Sequence, residues 1–198
     1  MVDCGVANFV LPGQHESGDH YLVACSQDRV LIAAIDGLGH GEDAANAAKT
    51  AKSVLQKRAD EPIDSLVQHC HERLRRTRGV VLSLAAINPS RGLMTWLGVG
   101  NVRAVLMRAH TGGRGAHETL LLRGGVVGSQ LPPLRASVLP IAQGDTVYLV
   151  TDGVRNEFAE TLTALENPQR AADRILGHFH NGTDDALVLV TRLTGIGL

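Results

Sequence analysis

One stretch constrains this chain more than any other: Leu31-Ile32-Ala33-Ala34-Ile35-Asp36-Gly37-Leu38-Gly39-His40-Gly41. Its apolar run, rich in Ile and Ala, predicts a buried strand that stops on a carboxylate followed by alternating glycines. Glu42 and an Ala-rich segment with helical spacing come next. A strand therefore carries Asp36 to its tip, the glycines turn the chain tightly, and a helix leaves. In isolation such an Asp reads as a helix N-cap.

The design recurs elsewhere. Thr146-Val147-Tyr148-Leu149-Val150-Thr151-Asp152-Gly153 is again an apolar strand ending in Asp-Gly. Asp184-Asp185 stands just before Ala186-Leu187-Val188-Leu189-Val190, and Gly18-Asp19 precedes Tyr21-Leu22-Val23-Ala24-Cys25. In antiparallel strands the C-terminal tip of one lies beside the N-terminal start of its neighbour, so all four acidic positions can share one sheet edge. For the first pair the register is explicit, because a tight turn centred on Gln27-Asp28 sets Asp19 opposite Asp36. Carboxylates gathered in this way repel by about 4 kcal/mol per pair at roughly 4 Å and an effective dielectric constant near 20. Bound divalent cations relieve that repulsion, and all-oxygen ligands favour Mg²⁺ or Mn²⁺.

Bulk properties narrow the function classes. A chain of 198 residues is expected to form a single domain, 1–198, able to bury a substantial core. A formal net charge of −1 gives no electrostatic case for nucleic acid or an anionic membrane. Aromatic residues make up only 3%, which argues against stacking platforms for single strands. No apolar run approaches the roughly 18–20 residues needed to span a bilayer, and the first residues lack a signal-peptide pattern. Cys4, Cys25 and Cys70 are scattered, without C-x-x-C spacing. They are expected to be reduced thiols of a cytoplasmic protein.

The periodicity predicts a short first strand within residues 1–11, the hairpin of Tyr21–Cys25 and Val30–Asp36, and a helix from Glu42 to Arg58 with Ala44, Ala47, Ala48, Ala51 and Leu55 on one stripe. A second helix begins near Pro62, with Ile63, Leu66, Val67, Cys70 and Leu74 apolar. Strands are predicted at Val80–Ile87, Leu93–Val99, Val102–Arg108, His117–Leu122, Val147–Thr151 and Ala186–Arg192. A helical piece between Phe158 and Leu176 restarts at Asn167-Pro168 and stops at Gly177. Roughly ten strands, with helices in two blocks, predict an α+β fold: two packed antiparallel sheets with helices outside.

The ordered set Gly18-Asp19, Asp36-Gly37-x-Gly39-His40-Gly41, Val99-Gly100-Asn101, Gly125-x-x-Gly128, Gly144-Asp145, Thr151-Asp152-Gly153-Val154 and Asp184-Asp185 resembles the SpoIIE-like branch of the metal-dependent (type 2C, PPM) Ser/Thr phosphatases. Within that branch, the short chain and the Gly-Asn-Val-Arg-Ala segment look most like the stressosome feedback phosphatases. The resemblance implies an α-β-β-α sandwich and a two-metal Mn²⁺ or Mg²⁺ site. Asp36 would bridge the ions, Gly37 would lend its carbonyl, and Asp152 and Asp184 would be direct ligands. Asp19 would hold a water on a metal, and Asp185 would support. The implied substrate is phosphoserine or phosphothreonine on STAS-domain proteins of a stressosome. Two features depart from larger type 2C enzymes: no Arg stands just ahead of Asp19, and Leu38 occupies a position where those enzymes place a His.

The chemistry suits the carboxylates, because a phosphomonoester close to a dianion could not approach four ionised Asp side chains without cations. No Ser-His or Cys-Arg nucleophile signature supplies a covalent route. His40 is a candidate proton donor to the leaving oxygen. Arg73, Arg75, Arg76 and Arg78 form a basic run that either complements a helix end or docks an acidic partner. Two other readings compete. Gly37-x-Gly39-x-Gly41 after a strand resembles a dinucleotide fingerprint, but its third glycine comes one place early and Asp36 would face the pyrophosphate. A catalytically inactive phosphatase fold that binds a signalling partner is the second alternative.

Overall fold

The computed structural model describes residues 1–26, 28–109, 117–163 and 166–195. Its elements are β1 (Val2–Phe9), β2 (Asp19–Cys25), β3 (Val30–Gly37), α1 (Glu42–Lys57), α2 (Ile63–Leu74), β4 (Val80–Asn88), β5 (Leu93–Val99), β6 (Arg103–Met107), β7 (His117–Thr119), β8 (Ser137–Pro140), β9 (Thr146–Val150), α3 (Pro168–Phe179) and β10 (Ala186–Leu193). One sheet runs β1-β10-β9-β6-β7 and the other β2-β3-β4-β5-β8, with every ladder antiparallel.

Strand periodicity builds the layers. Ile32 and Ala34 of β3 face the other sheet and pack with Leu187 and Leu189 of β10 and with Leu149 of β9. Leu31, Ala33 and Ile35 face outward, against Ala47, Ala48, Ala51 and Leu55 of α1 and Leu66, Cys70 and Leu74 of α2. On the opposite outer face, Val188 and Val190 pack under Ala171, Ala172 and Ile175 of α3. The result is the expected α-β-β-α sandwich. The Ala stripe of α1 is what lets that helix lie close on its sheet. At Gly37 the approach is closest, since a Cβ there would stand 2.1 Å from the carbonyl oxygen of Ala44.

The reading of an isolated Asp36 as a helix cap falls away, as the other acidic strand ends lead one to expect: the N-cap of α1 is Gly41, at φ 78°, with no side-chain cap. Two expectations about the last helical piece are corrected. Gly177 does not stop α3, which continues to Phe179 before the N–H of His180 closes on the carbonyl of Leu176. The piece around Phe158 is a 3₁₀ turn, Asn156–Thr161, rather than an α-helix. The Asn167-Pro168 restart holds, with the Asn167 side chain accepting from the N–H groups of Gln169 and Arg170. Strand β8 had no alternating signal because it is an edge strand, with Val138 60% exposed. Gln27, on which part of the predicted turn falls, lies outside the described residues, but the register it sets is observed.

Candidate active site

Asp19 and Asp36 are Cα partners across β2 and β3, as the turn arithmetic requires. Asp152 follows β9 after Thr151, and Asp184 and Asp185 directly precede β10. The pairing of β9 with β10 brings these ends together so closely that a Cβ on Gly153 would sit 1.9 Å from the carbonyl oxygen of Asp185. The acidic residues do not, however, share the edge of one sheet. Asp19 and Asp36 belong to one sheet and the Asp152–Asp184 pair to the other, and the two sets meet at one end of the sandwich. Facing sheets lie only about 10 Å apart, so their strand ends can build a site jointly.

Two cross-sheet bonds seal this junction. Thr151 Oγ1 donates to Asp19 Oδ2 at 2.7 Å, and the N–H of Gly18 donates to Asp185 Oδ2 at 2.7 Å. Asp185 Oδ1 accepts from the N–H of Leu11 at 2.8 Å, so both of its oxygens hold the segment entering β2. Asp185 is therefore a brace. Above this layer opens a cleft of about 460 Å³ lined by Asp36, Leu38, Gly39, Val81, Gly100, Asn101, Gly124, Gly125, Asp152 and Asp184. Asn101 Nδ2 donates to Asp152 Oδ2 at 2.6 Å and fixes that carboxylate at the cleft wall. His40 contacts Gln14 through Nδ1 at 3.4 Å.

The electrostatics are those of crowded acids. Burial first, then the charges of Asp19, Asp152, Asp184 and Asp185, push the Asp36 carboxyl up to about 9. Burial also pushes Asp19 up, to about 7, against the lowering effect of its bond from Thr151. Asp184 is raised by burial and by Asp152 and Asp185, with His40 acting in the opposite sense. Among the described residues no three His, Cys, Asp or Glu side chains close into a ready-made metal cage. The donors facing the cleft are hard oxygens, the chemistry that suits a hard divalent cation.

The expected residues Asp19, Asp36, Gly37, Asp152 and Asp184 all lie at this one end of the molecule. Two residues were quoted within motifs but given no role: Thr151, which orients Asp19, and Asn101, which orients Asp152. Their adjacency to Asp152 and Gly100 was the available signal.

Two helix-covered antiparallel sheets with carboxylates from both gathered at one end form the architecture of the type 2C protein phosphatases. The fold is shared with the PP2C phosphatase domain of SpoIIE from Bacillus subtilis (TM-score 0.79, 19% identity, 98% of this chain and 63% of that one). The chain belongs to the SpoIIE family, whose model, stage II sporulation protein E, matches residues 26–194. It is 29% identical over 94 residues to the phosphoserine phosphatase RsbX of Bacillus subtilis (strain 168), a stretch that is 48% of this chain and 47% of that relative. The matched stretch thus spans about half the length of the curated relative. A chain described with the bacterial stressosome superimposes with a TM-score of 0.87 at 25% identity, covering 97% of this chain and all of that one. RsbX in complex with magnesium superimposes at 0.83 with 20% identity, covering 98% and 96%.

Proposed function

We propose that the whole chain, 1–198, acts as one metal-dependent protein serine/threonine phosphatase domain in the cytoplasm, hydrolysing phosphoserine or phosphothreonine on a STAS-domain component of a stressosome-like complex. The observation that carries this reading is the convergence of four Asp side chains from two sheets at one end of the sandwich. Asp36, Asp152 and Asp184 line the cleft, and Asp19 is paired with Asp36 across the β2–β3 ladder. Burial first and the neighbouring acids second raise the carboxyls of Asp19 and Asp36. Likeness to RsbX and to the stressosome chain supports the substrate class. No described helix is long and apolar enough to cross a membrane.

The donor set fits Mg²⁺ or Mn²⁺. Asp36, the carbonyl of Gly37, Asp152 and Asp184 would hold the ions, with Asp19 supporting through a water; Asp185 is engaged by two backbone N–H groups and is not counted among the ligands. Bound divalent ions lower the pKa of a water so that hydroxide is available near neutral pH, and screen the charge that develops on phosphorus. The protein's share is orientation. Asn101 holds Asp152 at the cleft wall, and Thr151 fixes the Asp19 carboxylate that faces Asp36. Loading the site would ionise Asp36 and return its proton to solvent, because burial and the neighbouring acids raise that carboxyl to about 9.

The test is hydrolysis of an aryl phosphate in EDTA, Mg²⁺ or Mn²⁺ by wild type and Asp36→Asn, followed by a phosphorylated STAS protein. Metal-dependent turnover abolished in the variant is expected. A folded protein inactive on both substrates under every metal would instead favour the partner-binding alternative.

A further inference from the structure

Arg78 lies between α2 and β4, and its guanidinium reaches over the turn that follows Asp36. A Cβ built on Gly39 would lie 2.8 Å from Arg78 Nη1, so the absence of a side chain at 39 leaves the space the guanidinium uses. Gly39 itself lines the cleft with Asp36, Asp152 and Asp184, which places a cation at the rim of a cleft whose charged lining is carboxylate. The position is fixed by backbone, since the N–H of Leu38 donates to the carbonyl of Gly79 at 3.1 Å. The partner of Arg78 is Asp43 in the first turn of α1, with Nη2 donating to Oδ2 at 3.0 Å. The two side chains are 51% and 69% exposed. A single-contact pair so open to water is readily exchanged.

We propose that Arg78 is a substrate-binding residue, which exchanges Asp43 for the phosphoryl oxygens of the phosphoserine or phosphothreonine entering the cleft. This rests on the phosphatase reading above. A phosphomonoester brings nearly two negative charges toward a carboxylate-lined cleft. A guanidinium matches it with parallel N–H donors and a charge that does not titrate. Asp43 keeps that guanidinium over Gly39 until the phosphate arrives, and competes with it.

Steady-state kinetics on a phosphoserine peptide, with inorganic phosphate as inhibitor, test the assignment in wild type, Arg78→Ala, Arg78→Lys and Asp43→Asn. Losing a charged hydrogen bond should raise the KM and the phosphate inhibition constant about ten-fold or more in Arg78→Ala. Arg78→Lys should recover part of that loss. Asp43→Asn should lower both constants by about two- to five-fold, the strength of an exposed pair. A brace between α1 and the α2–β4 segment would make Arg78→Ala and Asp43→Asn behave alike, and that outcome overturns the inference. So does an Arg78→Ala enzyme with wild-type constants, which would leave the phosphatase reading intact. An inactive wild type would instead count against that reading, and titration of metal-loaded protein with inorganic phosphate would then decide Arg78 by the same ten-fold criterion. Should Arg78→Ala fail to fold, the opposed responses of Arg78→Lys and Asp43→Asn carry the test.

Discussion

Replacing Asp36 by Asn should make the metal-free protein more stable while removing its activity. The Asp36 carboxyl moves from 3.8 to about 9 on folding, with burial the first cause and the neighbouring acids the second. Between those values the native state holds a proton that the unfolded chain has released. A raised carboxyl therefore favours the fold at low pH, and stability declines as pH rises through the window. Three pH units, from 5 to 8, at about 1.36 kcal/mol each give a loss of about 4 kcal/mol from Asp36 alone. Asn has the shape of the protonated acid and does not titrate, so Asp36→Asn should lose most of this slope and exceed wild type at pH 8. Urea unfolding in EDTA at pH 5, 6.5 and 8 measures both proteins. Wild-type stability that is flat within about 1 kcal/mol over this range, or a variant weaker than wild type at pH 8, would refute the reasoning.

Two further outcomes follow from the same geometry. Loading Mg²⁺ or Mn²⁺ at pH 7 should release about one proton from Asp36, raised to about 9, and roughly half of one from Asp19, raised to about 7; calorimetry in buffers of different ionisation enthalpy counts them, and zero release would contradict the buried-acid picture. Asp185→Asn should cost about 2–4 kcal/mol in urea unfolding, because one of the N–H groups of Leu11 and Gly18 loses its acceptor. Unchanged stability with weakened metal binding would show Asp185 to be a ligand rather than a brace.

Much of this was legible because it is local. Strand β3 announces itself by its apolar run, the Asp19–Asp36 register follows from a short turn, and the Ala stripe of α1 marks the face that meets the sheet. What the sequence concealed is long-range. Thr151 and Asp19 are 132 residues apart, Gly18 and Asp185 are 167 apart, and no local pattern records that their strands sit in opposite sheets. Edge strand β8 was silent for a different reason: half-solvated backbone pairing asks little of its side chains.

Residue type at a strand tip therefore under-determines role, and burial supplies the rest. Asp185, 4% exposed, survives in the interior because two N–H groups meet its oxygens, which commits it to structure. Asp19 is almost as buried, at 6%, and has one hydroxyl donor, which leaves it short of partners and shifted upward. Asp36 faces both that neighbour and the cleft, and is shifted furthest. Asp152 and Asp184 stand in the cleft wall where solvent and ions reach them. Of these five acids, the one that is fully satisfied holds the loop. Under the proposed function, Asp36 at the cleft and Asp184 of the Asp-Asp step before β10 would hold the cations, while Asp185 of that same step holds the loop.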